Sequence, residues 1–238
     1  MRNSTLLIFA FAATQHVNAF WGISHVLLAR HAQELLQEEA PDVYQAVLDE
    51  LAPLKEDYPS LTTNEDKHPM TECATFADDI KANGFSWQNG WHFINTPYYD
   101  DGDNGYPFSM PDYDIVGALS ALTDWLGHRD TDYESTHYYQ QIISAFPDMD
   151  DARSFALRLV IHYVGDIHQP LHTVALVDSD YPYGDAGGNA EPIPNICGAN
   201  NLHGVWDSIT YLYCGYPNLP LSDADWSWYT AQADDITS

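Results

Sequence analysis

Positive charge is scarce in this sequence. Only 8 of its 238 residues are lysine or arginine, against 35 aspartates and glutamates, and the formal charge is −27. This balance excludes the basic surface with which most nucleic-acid binders attract phosphate. Any anionic ligand has to be held by local positive charge, and a bound divalent cation is often the largest charge in its site. Long apolar runs are missing as well. No segment reaches the roughly 18 consecutive apolar residues of a membrane span, so no membrane partner is expected. Beyond residue 19 there is no Asn-x-Ser/Thr sequon, which excludes N-glycosylation at that signal. No internal repeat and no linker rich in Pro, Gly or Ser divides the chain, and one domain is expected. Cysteine is limited to Cys73, Cys197 and Cys214, so one of the three has no partner within the chain.

The N-terminus has the layout of a secretory leader. Arg2 supplies the positive end, Leu6 to Ala13 a short apolar stretch, and Val17-Asn18-Ala19 a small-residue cleavage site. Residues 1–19 are therefore expected to be removed, leaving Phe20 as the mature N-terminus of a domain over 20–238. Loss of Arg2 makes the protein more acidic still. A secreted or endomembrane-lumen location, such as a lysosome-like compartment, permits disulfides. Cys197 and Cys214 flank one motif segment and are expected to pair. Cys73 is either a buried free thiol or lacks a partner that this sequence does not contain.

Apolar residues recur at helical spacing over Val26–Leu36, Val43–Leu54, Ile115–Leu126, Phe155–Val164 and Leu202–Leu212. Pro41, Gly84, Pro147, Pro170 and Pro217 stand where such helices start or stop. The aromatic, Gly-rich stretches 95–113 and 178–200 read as loops. The expected fold is all-α, a single mostly helical domain with long loops.

Eleven histidines beside so many carboxylates invite a metal reading, and their arrangement sharpens it. His162 and Asp166 are four apart and share a helix face, where both can grip one ion. Pro170 is expected to end that helix and let the chain fold back, bringing His172 beside the same face. A second pair four apart, His203 and Asp207, completes a second site with His172. Upstream candidates are Asp78, in Phe76-Ala77-Asp78-Asp79-Ile80-Lys81, and His92, in Trp91-His92-Phe93-Ile94-Asn95. The last is the mature terminus, where the free amine of Phe20 comes close to His25. His31, His68, His128 and His137 are read as ordinary hydrogen-bonded histidines.

Taken together, FWGISH, FADDIK, WHFIN, HYVGDIHQPLH, GDAGGN and NLHGVWD resemble, in order, the motifs of a known family. It is that of the zinc-dependent single-strand nucleases typified by the fungal S-one and P-one enzymes and the plant bifunctional nucleases. The resemblance implies three zinc ions at the bottom of a cleft. Asp78, His92, His162 and Asp166 would hold the first, with Asp166 bridging to a second held by the Phe20 amine and carbonyl and His25. His172, His203 and Asp207 would hold the third. These are ligands that Zn²⁺ accepts, and an α-amine, with a reference pKa of about 8, is a usable ligand near neutrality. In the implied mechanism, water shared by the paired ions attacks phosphorus and the third ion stabilises the leaving 3′-oxygen. Asp78 assists as base and Lys81 neutralises charge on phosphorus. Phe93 stacks an unpaired base, Asn95 hydrogen-bonds it, and Asn189 of the Gly187-Gly188-Asn189 turn contacts phosphate.

The expected partners are thus single-stranded DNA, RNA and nucleotides, and a monomer is expected. The implied activity is hydrolysis to 5′-phosphorylated products, with 3′-nucleotidase activity left open. Two departures from the family stand out. Phe20 replaces the usual first Trp, and only 31 residues follow Asp207, so a C-terminally shortened domain is expected. The rival readings are a zinc-dependent phospholipase C, whose final ligand is typically Glu where this chain has Asp207, and a non-catalytic zinc-binding protein.

Overall fold

The structure, a computed structural model, describes residues 21–102 and 104–237. The expected leader and Phe20 lie outside the described residues. Helix α1 (Gly22–Glu39) is followed at once by α2 (Pro41–Asp57), with Pro41 at the first helical position, where its missing N–H is not needed. A series of short turns comes next. It runs through α3 (Pro69–Glu72), α4 (Phe76–Asp79) and 3-10 turns over Cys73–Thr75, Ile80–Asn83 and Ser86–His92. Gly84, at φ 95°, closes the second of these in the left-handed conformation that glycine adopts without penalty.

Strand β1 (Thr96–Tyr99) leads to α5 (Ile115–Leu126), α6 (His137–Ala145) and α7 (Met149–Asp166). Asp148 starts α7 by accepting hydrogen bonds from the backbone N–H groups of Asp150 and Asp151. The inner face of α7 carries Ala152, Phe155, Ala156, Leu159 and Tyr163, three or four apart, so one stripe faces the core. It packs against Leu51 and Leu54 of α2 and Ile115, Ala118 and Leu122 of α5. Each such buried large side chain contributes about 2 kcal/mol.

Arg158, a charge set into this layer, is fully matched. Arg158 Nη2 lies 2.7 Å from Glu65 Oε2, Nη1 donates to the Ser154 hydroxyl at 2.7 Å, and Nη2 also donates to the Leu51 carbonyl at 2.9 Å. After α8 (Pro170–Thr173) and β2 (Val174–Val177) come β3 (Pro192–Ile196), β4 (Ala199–Asn201), α9 (Leu202–Asp207) and α10 (Asp223–Thr237). Tyr229 and Ala233 of α10 close a second, smaller core over Val26, Leu27 and Ala29 of α1.

A mostly helical single domain is what forms, with differences in detail. The stretches expected as loops contain short strands. β1 pairs in parallel with β2, and β3 pairs antiparallel with β4. Each of these strands has one neighbour, and two carry proline, so alternation was too brief to register. The helix expected over 202–212 stops at Asp207, because Ile209, Thr210 and Tyr211 take φ values of 49°, 52° and 71°, which no right-handed helix accommodates. Pro170 does not end α7 either. That helix ends at Asp166, and Pro170 opens α8, whose N-cap Gln169 accepts from the Leu171 N–H. Cys197 and Cys214 form the expected disulfide, and Cys73 is a buried free thiol. No described helix is long and apolar enough to cross a membrane.

Candidate metal centre

Helix α7 is the floor of the site. His162 and Asp166 stand one turn apart on it, and at Asp166 two other elements meet this helix. Its Oδ1 is 3.1 Å from His25 Nε2 on α1. Its Oδ2 is 2.7 Å from His92 Nδ1, at the end of the 3-10 turn, and 3.2 Å from His162 Nε2. Asp78 of α4 closes the ring from the far side, with Oδ1 3.8 Å from His162 Nε2 and 4.0 Å from His92 Nδ1. Two overlapping groups result, His25 with Asp78 and His162, and His92 with His162 and Asp166, the ligand atoms of each lying within 4.8 Å of one another.

A third group of the same compactness forms from His172 on α8 with His203 and Asp207 on α9. The His172 and His203 rings have centroids 5.0 Å apart. Gln169 Nε2 donates to Asp207 Oδ1 at 2.7 Å and steadies that carboxylate. Trp21 donates its backbone N–H to the Asp207 carbonyl at 3.0 Å, so the start of α1 is tied to the end of α9.

The outer nitrogens of these rings are already engaged. Nδ1 of His162 meets the Ala74 carbonyl, that of His172 the His92 carbonyl, and that of His203 the Gly187 carbonyl, each at 2.7 Å. A carbonyl only accepts, so each Nδ1 carries a hydrogen, and in the neutral ring each Nε2 presents a lone pair inward. The buried His172 Nε2 has no hydrogen-bond partner among the described residues. Leaving such an atom unpaired costs about 1–3 kcal/mol, a cost that a cation removes. The donor set, imidazole and carboxylate in groups of three, fits a divalent ion of the zinc type.

The electrostatics agree. Burial lowers the pKa of His92 to about 4 and of His172 to about 3, and it also lowers His25 and His203, so these rings are neutral and ligand-competent near neutrality. His162 is the exception. Burial opposes its charge, but the Asp166 and Asp78 carboxylates outweigh burial and push its pKa up to about 9. Burial works against the Asp78 charge too, yet Lys81, His162 and His92 bring its pKa down to about 2. Asp207 has no such help, and burial drives its carboxyl well above the usual range. Without an added cation the protein therefore holds a proton on His162 and disfavours charge on Asp207. A metal ion would occupy the place of both protons.

Gly165 admits this arrangement. A Cβ there would stand 2.7 Å from His25 Nδ1, and the His25 ring stacks on His162 with centroids 3.9 Å apart. Gly165→Ala is expected to push His25 away and weaken cation binding about tenfold or more, read by competition with a coloured chelator. Unchanged affinity would contradict the role given to this close approach.

Around the ligand groups, Lys81 is nearly buried, with Nζ 2.6 Å from Asp78 Oδ1. The Phe93 ring is half-buried and lies 4.4 Å from the His172 ring. Asn95, at φ 53°, stands on the wall of a cavity of about 510 Å³ shared with Phe108, Met110, Asp112 and Tyr183. Asn189 closes its own turn, donating to the Ala186 carbonyl at 2.9 Å and accepting from Asn201 at 3.3 Å. Of the remaining histidines, His68 stacks on Trp226 and His137 on Tyr113.

Sequence reasoning passed over the supports. Asp185 accepts from the Gly187 and Gly188 N–H groups at 3.0 and 2.8 Å, and so shapes the turn that holds His203. Its signal was present in the GDAGGN segment. Gln169 likewise stood inside a recognised motif, whereas Gln88 stood in none.

A family model described as S1/P1 Nuclease matches residues 20–227. Among curated relatives, Endonuclease 3 of Arabidopsis thaliana is 27% identical over 203 residues, covering 82% of this chain and 57% of that protein. Endonuclease 5 of the same plant is 28% identical over 146 residues, with 59% and 43% covered. Nuclease S1 of Aspergillus oryzae is 28% identical over 140 residues, with 58% and 41% covered. The chain thus spans about half the length of the relatives it matches. With the family model covering most of its length, and all the expected side-chain ligands among the described residues gathered into three groups, the chain belongs to the S1/P1 nuclease family.

Proposed function

We propose that this protein is a trinuclear-zinc phosphodiesterase that cuts single-stranded DNA and RNA and releases 5′-phosphorylated products. The observation that carries the reading is the set of three His/Asp groups, with imidazole nitrogens turned inward and their outer nitrogens engaged behind them. His25, Asp78, His92, His162 and Asp166 would hold two ions, and His172, His203 and Asp207 the third. When bound, zinc supplies a polarised phosphoryl oxygen and an acidified water.

The chain's own residues do the rest. Asp78, fixed by Lys81, accepts the proton of the attacking water, and Lys81 offsets charge gathering on phosphorus. Phe93 offers its face to a base, and only an unpaired base has a face free to meet it. Asn95 hydrogen-bonds the edge of that base, and Asn189 of the Gly187-Gly188-Asn189 turn contacts the phosphate.

Cleavage of the leader after Ala19 belongs to the same reading, because the Phe20 amine and carbonyl would join His25 only in the processed chain. Secretion or delivery to an endomembrane lumen goes with that leader. The test sets single-stranded DNA, RNA and phosphatidylcholine side by side with and without chelator, on protein whose N-terminus is established by mass spectrometry. Chelator-sensitive release of 5′-phosphorylated nucleotides is expected. Cleavage of the lipid alone would favour a phospholipase, and no turnover by zinc-loaded protein would favour a binding role.

A further inference from the structure

Gln88 lies on the 3-10 turn Ser86–His92, fully buried, one turn before His92. Its amide NH₂ donates to the Ala77 carbonyl at 2.6 Å. Its Oε1 meets two groups, the Tyr163 hydroxyl at 2.5 Å and His92 Nε2 at 2.8 Å. Reversing the amide would set its oxygen against the Ala77 carbonyl, two acceptors facing each other. The Ala77 contact therefore fixes which end of the side chain faces the histidine. An amide oxygen can only accept, so His92 must carry its hydrogen on Nε2. The lone pair is left on Nδ1, the nitrogen that lies 2.7 Å from Asp166 Oδ2.

His92 thus differs from its neighbours. His162, His172 and His203 are each held through Nδ1 by a backbone carbonyl and present Nε2. His92 is held through Nε2 by a side chain, and a side chain can be replaced. Tyr163, next to His162 on α7, packs edge-on to the His92 ring with centroids 4.9 Å apart, and its hydroxyl keeps the Gln88 oxygen in place.

We propose that Gln88, backed by Tyr163, is a positioning residue that fixes the tautomer and ring orientation of His92 and so sets how tightly the Asp166 centre holds its cation. This inference rests on the metal reading of the site. Partners of this kind change metal affinity by about 10- to 100-fold when removed.

The test uses cobalt(II) as the probe, its visible absorption reporting both occupancy and coordination, on the full chain. Gln88→Leu is expected to bind cobalt at the Asp166 centre about tenfold or more weakly. Gln88→Glu, kept protonated by burial, donates its O–H to the Ala77 carbonyl in place of the amide and keeps an acceptor oxygen at the same reach, and is expected to fall no more than about threefold below the unaltered protein. Cobalt affinity unchanged in Gln88→Leu overturns the inference while leaving the metal reading intact. Absence of cobalt binding by the unaltered protein overturns both. Should Gln88→Leu fail to fold, nitrogen-15 spectra of the zinc-loaded unaltered protein decide the question. A His92 hydrogen on Nε2 supports the assignment, and one on Nδ1 overturns it.

Discussion

Asp166→Asn is expected to remove at least one bound cation and to slow phosphodiester hydrolysis about a thousandfold or more, equivalent to roughly 4 kcal/mol of lost transition-state stabilisation. The carboxylate touches His25, His92 and His162 at once, with one oxygen toward the first and the other toward the remaining two. An amide has the same shape, but it carries no charge and offers only one acceptor oxygen. Whichever way it turns, an NH₂ faces a ring nitrogen that must remain a lone pair for ligation. Burial opposes the Asp166 charge, but His162, His25 and His92 outweigh burial and hold its carboxyl well below the usual range, so the metal-free fold is expected to form with reduced stability in this variant. Metal content by elemental analysis and the rate on single-stranded DNA are the measurements. A variant with full metal and near-normal rate would remove Asp166 from its central place.

Gly187→Ala is expected to have the next largest effect, at the third group. Gly187 takes φ 62°, and a Cβ there would run into the Leu171 carbonyl, one residue before His172. Its own carbonyl holds His203 Nδ1 at 2.7 Å. One methyl group thus displaces both imidazoles of the group together. The left-handed conformation alone costs an alanine about 1–2 kcal/mol, and the collision adds to that. Urea unfolding is expected to show a loss of about 2 kcal/mol or more, with bound zinc falling by one per chain. Unchanged stability and stoichiometry would mean that the turn does not support His203.

These two positions also mark what could be read in advance. His162 with Asp166, and His203 with Asp207, were legible because ligands four apart on a helix share a face whatever surrounds them. His172 was placed beside them by the break expected at Pro170, but His25, Asp78 and His92 lie on other elements, and spacing alone could not join them. Motif order did so, through family resemblance. The long helices were legible where an apolar stripe persisted, as over Ile115–Leu126, which is α5 to the residue.

The parts that escaped are those set by tertiary contact. Helix α9 is cut short by three residues with positive φ that carry no glycine to announce them. Strands β1 and β2, far apart in sequence, pair only because the returning chain lies beside the 3-10 turn that carries His92. Gln88 gave no signal, because its importance depends on Ala77, Tyr163 and His92 meeting it from three directions. Gly165 stood inside a recognised motif, but its role depends on the His25 ring that lies where its side chain would be.

The central claim is that three buried groups of histidine and aspartate bind cations on which hydrolysis depends. The most direct measurement is zinc stoichiometry on protein processed at its N-terminus, followed by activity on single-stranded DNA through a cycle of chelation and zinc return. Three zinc ions per chain, with activity abolished on stripping and restored on reloading, is the predicted result. Zinc absent from the purified protein, or cleavage that persists after its removal, would contradict it.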